Sequence, residues 1–200
     1  MILKKLLVKT ASFAIRLPAA VWNAAALSGR GTVRGRNVTV RGRLYVRNQG
    51  CLEIGKDVRI NSGAYFNPIG GDVRTNLIVS AGARIIIGDG CRISNSTLFS
   101  EEEIQIGPNV LIGGGCKIYD TDFHPLDFET RAGNPIGGGE TAKVSIGEGA
   151  FIGAHSIILK GTTIGKHAVI GAGSVVSGRV PDDEIWAGNP ARRIRKITDA

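Results

Sequence analysis

The sequence predicts an all-β solenoid whose coils have three sides, and two features of its 200 residues support that prediction. Between Ile146 and Val176 an aliphatic residue returns every six positions, at 146, 152, 158, 164, 170 and 176. In addition, 29 glycines accompany only 6% aromatic residues, which suits a narrow fold rich in turns. A six-residue period fits a short strand followed by a tight turn, and three such units complete a coil of about eighteen residues.

Each six-residue unit is expected to point two residues inward, an aliphatic residue at position one and a small residue at position five. In this register Cys91 and Cys116 occupy position five, after Ile87 and Ile112. We therefore predict that both cysteines are small core residues of a protein in a reducing compartment. With Cys51 the cysteine count is odd, and the sequence contains neither a disulfide framework nor a CxxC metal pair.

Earlier repeats are shorter and are separated by two excursions. Residues 67–78 are predicted to form a surface turn. Residues 119–143 contain His124 and five acidic residues, and a long excursion from a compact domain commonly carries function. The shorter repeats run from Val40 to Val46, from Ile54 through Ile60 to Phe66, from Ile87 through Ile93 to Phe99, and from Ile106 through Ile112 to Ile118.

The first 27 residues lack the repeat glycines and are predicted to form an amphipathic basic helix. Lys9 and Arg16 interrupt the apolar core that a signal peptide needs, and no uncharged run of roughly twenty residues could span a membrane. The helix therefore either packs on a solenoid, its own or a neighbour's, or lies in a membrane interface. Its apolar face comprises Ile2, Leu3, Leu6, Leu7, Phe13, Ala14, Leu17 and Val21.

Charge is distributed unevenly along the chain. The first 47 residues contain ten Lys and Arg and no Asp or Glu, whereas the remainder contains fifteen basic and seventeen acidic residues. An acid-free segment of this length indicates an anionic partner. Nucleic acid is disfavoured because no recognisable binding module is present and aromatic residues are few. Phospholipid head groups, or a phosphate-bearing substrate near an anionic membrane, fit residues 1–47 better.

Three segments give a specific resemblance to a known family: IGPNVLIGGGCKIYDTDFHPLD, VSIGEGAFIGAHSIILKGTTIGKHAVIGAGSVV and VPDDEIWAGNPARRIRKI. Over residues 50–197 the chain resembles the hexapeptide-repeat acyltransferases, and among them the galactoside, maltose and nodulation O-acetyltransferase branch. This resemblance implies a left-handed parallel β-helix over residues 30–180. An N-terminal amphipathic helical extension, 1–29, would precede it and a C-terminal fold-back, 181–200, would follow. It also implies a homotrimer with active sites between subunits.

Acetyl transfer from a thioester to a hydroxyl needs a base and a donor for the developing oxyanion. The resemblance implies that His124, which is followed by proline as in the family's His-Pro motif, is the catalytic base. Asp120, Asp122 or a backbone carbonyl could orient it. Asn95 aligns with an asparagine that binds the acceptor in this branch, although it could instead be a turn residue.

The resemblance also implies that acetyl-CoA lies in a groove between two C-terminal halves. Trp186 is left unassigned, between a CoA contact and packing of the fold-back. His155 and His167 are twelve residues apart and would diverge, so no catalytic metal is expected. The predicted cofactor-binding residues are Phe151, in place of the family's usual Trp, with Gly153, Ala154, Lys166, Gly171, Ala172, Ser177, Arg192 and Arg195.

The predicted function is that of an acetyl-CoA-dependent O-acetyltransferase acting on a sugar hydroxyl. The basic N-terminal end favours a cell-envelope glycan precursor as the carbohydrate acceptor, handled in the cytoplasm at the inner face of the membrane. This reading implies a role in polysaccharide biosynthesis. Two alternatives stay open: an N-acetyltransferase of an amino sugar or xenobiotic, and a scaffolding β-solenoid without enzyme activity.

Overall fold

The computed structural model describes residues 19–71, 73–133 and 137–199, and these form a three-sided prism of stacked parallel strands. The chain visits three sheets in turn, here called A, B and C, and each coil adds one strand to each sheet. In the regular region the coil repeats every eighteen residues, because Ile146 pairs with Ile164 and Ile152 pairs with Ile170. The predicted coil length is confirmed.

The strands of each sheet stack in the order in which the chain makes them. Sheet A contains β1 (Thr32–Arg34), β4 (Cys51–Ile54), β7 (Arg84–Ile87), β10 (Glu103–Ile106), β13 (Val144–Ile146), β16 (Thr163–Ile164) and β19 (Arg179–Val180). Sheet B contains β2 (Thr39–Arg41), β5 (Arg59–Asn61), β8 (Arg92–Ser94), β11 (Leu111–Ile112), β14 (Phe151–Ile152), β17 (Val169–Ile170), β20 (Glu184–Gly188) and β21 (Ala191–Lys196). Sheet C contains β3 (Tyr45–Asn48), β6 (Asn76–Val79), β9 (Thr97–Ser100), β12 (Lys117–Tyr119), β15 (Ile157–Ile158) and β18 (Val175–Val176).

Columns of small and aliphatic side chains fill the prism. In the regular region both predicted inward positions of each unit are buried, which confirms the register. Cys91 and Cys116 are also fully buried and are free thiols, as predicted for core residues. The buried residues at position one are Ile146, Ile152, Ile158, Ile164, Ile170 and Val176, and those at position five are Ala150, Ser156, Thr162, Ala168 and Ser174.

Two aromatic residues that were predicted to continue the repeat do not point inward. Phe66 lies in a loop after β5, and Leu77 is the buried residue of the next strand. Phe99 is half-buried on the outside of the prism, while its neighbour Leu98 is fully buried. The coil reaches Leu98 only five residues after Ile93, so the six-residue register slips by one. The predictions for Phe66 and Phe99 are therefore wrong.

Both excursions are present, with shifted bounds for the first. The first runs over residues 62–75, contains a 3-10 turn at Pro68–Gly70, and ends before β6, so the predicted range of 67–78 wrongly included a core strand. The second runs over residues 120–143 and contains a short helix, α2, at Phe128–Gly133. Both loops leave at corners of the prism, which keeps the strands stacked on either side of them.

Residues 19–26 form helix α1, which closes the first coil. Ala19, Asn23 and Leu27 are buried against it. The Asn23 amide donates to the Gly42 carbonyl at 2.8 Å and accepts from the Leu44 N–H at 2.9 Å, so it supplies hydrogen bonds at the open end of the solenoid. The described part of the N-terminal helix therefore packs on its own solenoid, which is one of the two predicted alternatives.

The outward side of α1 is apolar. Val21 is 67% exposed and Trp22 is 48% exposed, and the Arg43 guanidinium lies 5.7 Å from the Trp22 ring centroid. Val21 was assigned to an apolar face shared with residues 2–17, and those residues lie outside the described part of the chain. Within the described residues, no helix has the length and apolar character needed to cross a membrane.

The chain ends in a fold-back that covers the last coil. Strands β20 and β21 pair in antiparallel fashion at the edge of sheet B, around a cis peptide bond before Pro190. Trp186 packs against the core and donates from Nε1 to the Glu184 carboxylate at 2.8 Å. Arg193 binds the same carboxylate at 2.8 Å. Trp186 thus has a packing role in the fold-back that the sequence left unassigned.

Candidate active site

The second excursion begins and ends in a short antiparallel stem. Thr121 and Thr141 form an antiparallel bridge. On either side of it the Asp122 N–H donates to the Glu140 carbonyl at 3.0 Å, and the Ala142 N–H donates to the Asp120 backbone carbonyl at 2.9 Å. Because the stem is hydrogen-bonded to itself and continues β12, the residues at its tip are held relative to the prism.

Phe123 anchors the tip of this stem. Its backbone lies in the left-handed region at φ 65°, and its ring packs 4.8 Å from the Phe99 ring and 5.1 Å from the Tyr119 ring, measured between centroids. Gly139 passes so close to this turn that a Cβ atom at position 139 would lie 2.7 Å from the backbone nitrogen of His124. The stem therefore requires glycine at position 139, and the aromatic cluster sets the direction in which the chain leaves Phe123.

His124 follows Phe123 and is exposed in the protomer. Its backbone N–H donates to the Asp122 carbonyl at 2.8 Å, which closes a tight turn. In the described part of the chain its imidazole makes no hydrogen bond or ion pair, so the ring is accessible to an incoming group. The role of His124 as the base stays a prediction, and its placement on a rigid, open turn is what such a base requires.

The carboxylates of Asp120 and Asp122 both have partners other than the His124 ring. Asp120 is fully buried and accepts hydrogen bonds from Ser100 Oγ at 2.6 Å and from the N–H groups of Glu101 and Glu102. Burial raises the pKa of its carboxyl above the ordinary aspartate value, and these hydrogen bonds oppose that rise. Asp120 therefore holds the prism corner where the excursion begins.

Asp122 is half-buried and forms an ion pair with Lys160, with 3.3 Å between carboxylate and ammonium. Lys160 also contacts Glu140 at 2.9 Å, and these bonds raise the pKa of the lysine, the one from Glu140 most. The pair ties the stem to the next coil. That Asp122 orients His124 stays a prediction, and a backbone carbonyl stays the alternative.

Asn95 is fully buried at a prism corner, with its backbone at φ 44°. Its side-chain nitrogen donates to the carbonyls of Asn67 at 3.2 Å and Gly71 at 3.3 Å, and its oxygen accepts from the Gly63 N–H at 3.0 Å. All three partners belong to the first excursion. In this structure Asn95 is a turn residue that fastens that loop, while a contact between Asn95 and an acceptor stays a prediction.

Asn95 and His124 lie beyond opposite ends of neighbouring strands of sheet C. Asn95 precedes strand β9, and His124 follows the neighbouring strand β12. A four-residue strand is ~13 Å long, so the length of sheet C separates the two points at which Asn95 and the His124 stem join it.

Part of the predicted cofactor set does cluster. Phe151 is 44% exposed on the outer face of sheet B, where Leu111 and Val169 are its register partners. Gly153 and Ala154 lie at the adjoining corner. A Cβ atom on Gly153 would meet the backbone of the next coil at 2.5 Å, so the coils approach closely there. This apolar strip beside a corner of small residues is the part of the surface suited to an extended ligand.

The backbone at that corner is partly committed to the fold. The Gly153 carbonyl accepts from Cys116 Sγ and Ser156 Oγ, and the Gly171 carbonyl accepts from Ser156 and Ser174 hydroxyls. Both glycine N–H groups also donate to the next coil. Of the alanines that follow, Ala154 already accepts from the Gly173 N–H at 2.8 Å through its carbonyl, so a ligand amide would meet the backbone at the Ala154 N–H or at Ala172.

The remaining predicted cofactor residues are spread over several edges. Lys166 is exposed at the corner between sheets A and B, where its backbone N–H donates to Asp182 at 2.8 Å. Ser177 is exposed at the far edge of sheet C. Arg192 and Arg195 are exposed on β21. One protomer therefore does not bring all nine residues together.

The two remaining histidines lie on different corners, as their spacing predicted. His155 follows β14 and His167 follows β16, both at left-handed φ, and His167 lies 3.1 Å from the Asp183 carboxylate. Across residues 19–71, 73–133 and 137–199, no group of three or more His, Cys, Asp and Glu side chains is placed to hold a metal ion.

Comparison with known proteins identifies the repeat. Residues 143–178 match the family Bacterial transferase hexapeptide (six repeats). This stretch of the chain is therefore similar to the hexapeptide-repeat family. The Saccharomyces cerevisiae protein YJL218W, an acetyltransferase by name, is 41% identical over 120 residues, which is 59% of each chain. The alignments with seven further curated relatives cover between 34 and 36% of those proteins, so the chain matches only part of their length.

Two solved structures share the fold. A maltose O-acetyltransferase from Clostridium difficile is 26% identical, with a TM-score of 0.55, over 83% of this chain and 69% of that one. A galactoside acetyltransferase in complex with coenzyme A is 27% identical, with a TM-score of 0.52, over 80% of this chain and 66% of that one. The predicted fold class, a left-handed parallel β-helix with a C-terminal fold-back, is confirmed, as is the resemblance to this branch.

Sequence reasoning missed two features of the surface around the site. Phe99 was counted as core, so the aromatic cluster that it forms with Phe123 under His124 was not foreseen. Only the slipped register reveals that Phe99 points outward. The other feature is a row of arginines on sheet B, which strand pairing alone brings together because Arg59 and Arg92 are 33 residues apart in the chain.

Proposed function

We propose that this hexapeptide-repeat chain is an acetyl-CoA-dependent O-acetyltransferase that acts on a sugar hydroxyl, with His124 as general base. The observation that carries the proposal is the placement of His124, an accessible imidazole on a stem fixed by Phe123 and Gly139. The names of the similar solved proteins, maltose O-acetyltransferase and galactoside acetyltransferase with coenzyme A, support the reaction class and the acetyl donor.

In the proposed reaction, His124 removes the proton from the acceptor hydroxyl as its oxygen attacks the thioester carbonyl. The tetrahedral intermediate collapses, the bond from carbon to sulfur breaks, and the imidazolium returns the proton to the departing thiolate. Products are the acetyl ester and free coenzyme A. Its pantetheine arm would lie along Phe151 and the corner at Ala154 and Ala172.

The same proposal includes a homotrimer whose active sites lie between subunits. Two observations on one protomer support it. Asn95 and His124 lie beyond opposite ends of neighbouring strands of sheet C. The apolar strip around Phe151 lies on sheet B, a different side of the prism from the His124 stem. A neighbouring subunit is needed to bring a His124 stem against such a strip.

The enzyme proposal is tested by the release of free thiol from acetyl-CoA with a panel of sugars. His124→Ala should lower turnover by about 10²–10⁴-fold, the usual contribution of general base catalysis. The matched control is His167→Ala, an exposed histidine at another corner, which should keep wild-type turnover. A His124→Ala enzyme with wild-type turnover would contradict the mechanism.

The same panel separates the alternatives. Turnover with amino sugars and none with sugars that offer only hydroxyl groups, phosphorylated or not, would replace the O-acetyl proposal by N-acetylation. A scaffolding role would follow if calorimetry detected no binding of acetyl-CoA to the full chain. Neither alternative is favoured by a specific contact in the described residues.

We further propose that the α1 end contacts an anionic membrane surface at the cytoplasmic face, where a cell-envelope glycan precursor would be acetylated. Val21 and Trp22 offer an exposed apolar surface beside Arg43, and tryptophan with arginine suits the lipid head-group region. Sedimentation with anionic liposomes tests this. Replacing Val21 and Trp22 by serine should abolish sedimentation, whereas the control Ile69→Ser, on another exposed apolar side chain, should not. Equal sedimentation of both variants would argue against membrane contact.

A further inference from the structure

The outer face of sheet B carries a groove of about 490 Å³ at its N-terminal end. Three arginines line it, Arg41 on β2, Arg59 on β5 and Arg92 on β8, together with the polar residues Thr39 and Asn61. No acidic residue is among the described residues that line it. Its volume is in the range of small-molecule sites, so the groove is large enough for a phosphorylated sugar.

Strand pairing forces two of these charges together. Arg59 and Arg92 are direct register partners on adjacent parallel strands, and neighbouring strands lie about 4.8 Å apart. Like charges placed directly opposite each other destabilise a sheet. Within the described residues none of the three arginines forms an ion pair, so the repulsion is not relieved by a carboxylate of the protomer.

Sheet A shows that this is not a general property of the fold. There Arg84 lies 2.9 Å from Glu53 and 3.8 Å from Glu103, and Lys143 lies 2.6 Å from Glu103. Arg84 and Lys143 on sheet A are thus neutralised by acids on neighbouring strands. The three groove arginines of sheet B are concentrated without such partners among the described residues, an arrangement that suits a bound anion.

The groove continues into the apolar strip proposed for the acetyl donor. The register runs from Arg59 to Arg92, to Leu111 and to Phe151, each on the next strand. Phe151 is therefore two strands, about 10 Å, from Arg92. A sugar bound between the arginines and Phe151 would have a phosphate at one end and the acetyl donor at the other.

We propose that this groove binds the phosphate or diphosphate group of the acceptor, so that the acceptor is a phosphate-bearing sugar rather than a neutral one. This inference rests on the proposed transferase function. Arginine recognises phosphate oxygens through paired N–H donors, which lysine does not match geometrically. Thr39 and Asn61 supply further polar groups at the groove wall.

Calorimetry with inorganic pyrophosphate tests the groove without needing activity. We expect the wild-type chain to bind pyrophosphate, and Arg59→Gln and Arg92→Gln each to weaken binding roughly tenfold or more, as for loss of a charge-assisted hydrogen bond. The control is Arg47→Gln, which removes the same charge from sheet C of the first coils and should leave affinity unchanged. The proposal is overturned if wild type does not bind pyrophosphate, or if Arg59→Gln and Arg92→Gln bind it as tightly as wild type. Thermal unfolding of each variant verifies that it is folded.

Two further titrations distinguish the sources of the phosphate. Binding of UDP that is lost in Arg59→Gln indicates a nucleotide-linked acceptor. Sedimentation with phosphatidylcholine vesicles that requires added polyprenyl diphosphate, and is lost in Arg59→Gln, indicates a lipid-linked acceptor. Binding of neither overturns the assignment to an acceptor. A chain that binds pyrophosphate but transfers no acetyl group contradicts the proposed function alone, and an active chain that does not bind it contradicts this inference alone.

Discussion

Asn95 gives the sharpest test of how the surface loops are held. Replacing it by alanine removes three hydrogen bonds to the first excursion, from Gly63 and to Asn67 and Gly71. At about 0.5–1.5 kcal/mol each, these bonds are worth ~1.5–4.5 kcal/mol of unfolding free energy. Alanine would also hold the left-handed φ of 44°, at a cost of about 1 kcal/mol more than asparagine or glycine.

Asn95→Gly separates these two contributions. Glycine loses the same hydrogen bonds but adopts the left-handed backbone easily, so we expect it to be about 1 kcal/mol more stable than Asn95→Ala. Urea unfolding measures both differences, and limited proteolysis within residues 62–75 reports whether the loop is released. An Asn95→Ala protein within about 0.5 kcal/mol of wild type, with an unchanged cleavage pattern, would refute the anchoring role.

Three further predictions concern the core, the thiols and the fold-back. Ile152→Ala should lower the free energy of unfolding by about 2–5 kcal/mol, because a fully buried side chain leaves a cavity between coils, and chemical denaturation measures it. Cys51 should react first with a thiol reagent at neutral pH, whereas Cys91 and Cys116 should react only after unfolding, since both are buried and burial raises the Cys91 pKa to about 11. The pKa of the Glu184 carboxyl is lowered in the folded chain, and the hydrogen bond from Trp186 is the largest cause. Ionised Glu184 therefore stabilises the folded chain fully above pH 4.5, and this contribution is lost as the pH falls through the lowered pKa. The thermal midpoint of Glu184→Gln should therefore approach that of wild type in acid, and a constant gap across pH would contradict this.

The sequence alone determined the architecture, since a strict six-residue period with inward positions one and five allows few packings other than a three-sided solenoid. It also singled out the second excursion and His124 within it, because a histidine outside the repeat is not needed for packing. The buried state of Cys91 and Cys116 followed from the same register.

Only the tertiary structure decided where the pattern departs from six. The step from Ile93 to Leu98 is five residues long, and it turns Phe99 outward, where its ring packs against Phe123. Strand pairing likewise placed Arg59 beside Arg92, which are far apart in the chain. Such neighbours depend on how many residues each corner takes up, and a loop of any length can be accommodated there without changing the strands on either side.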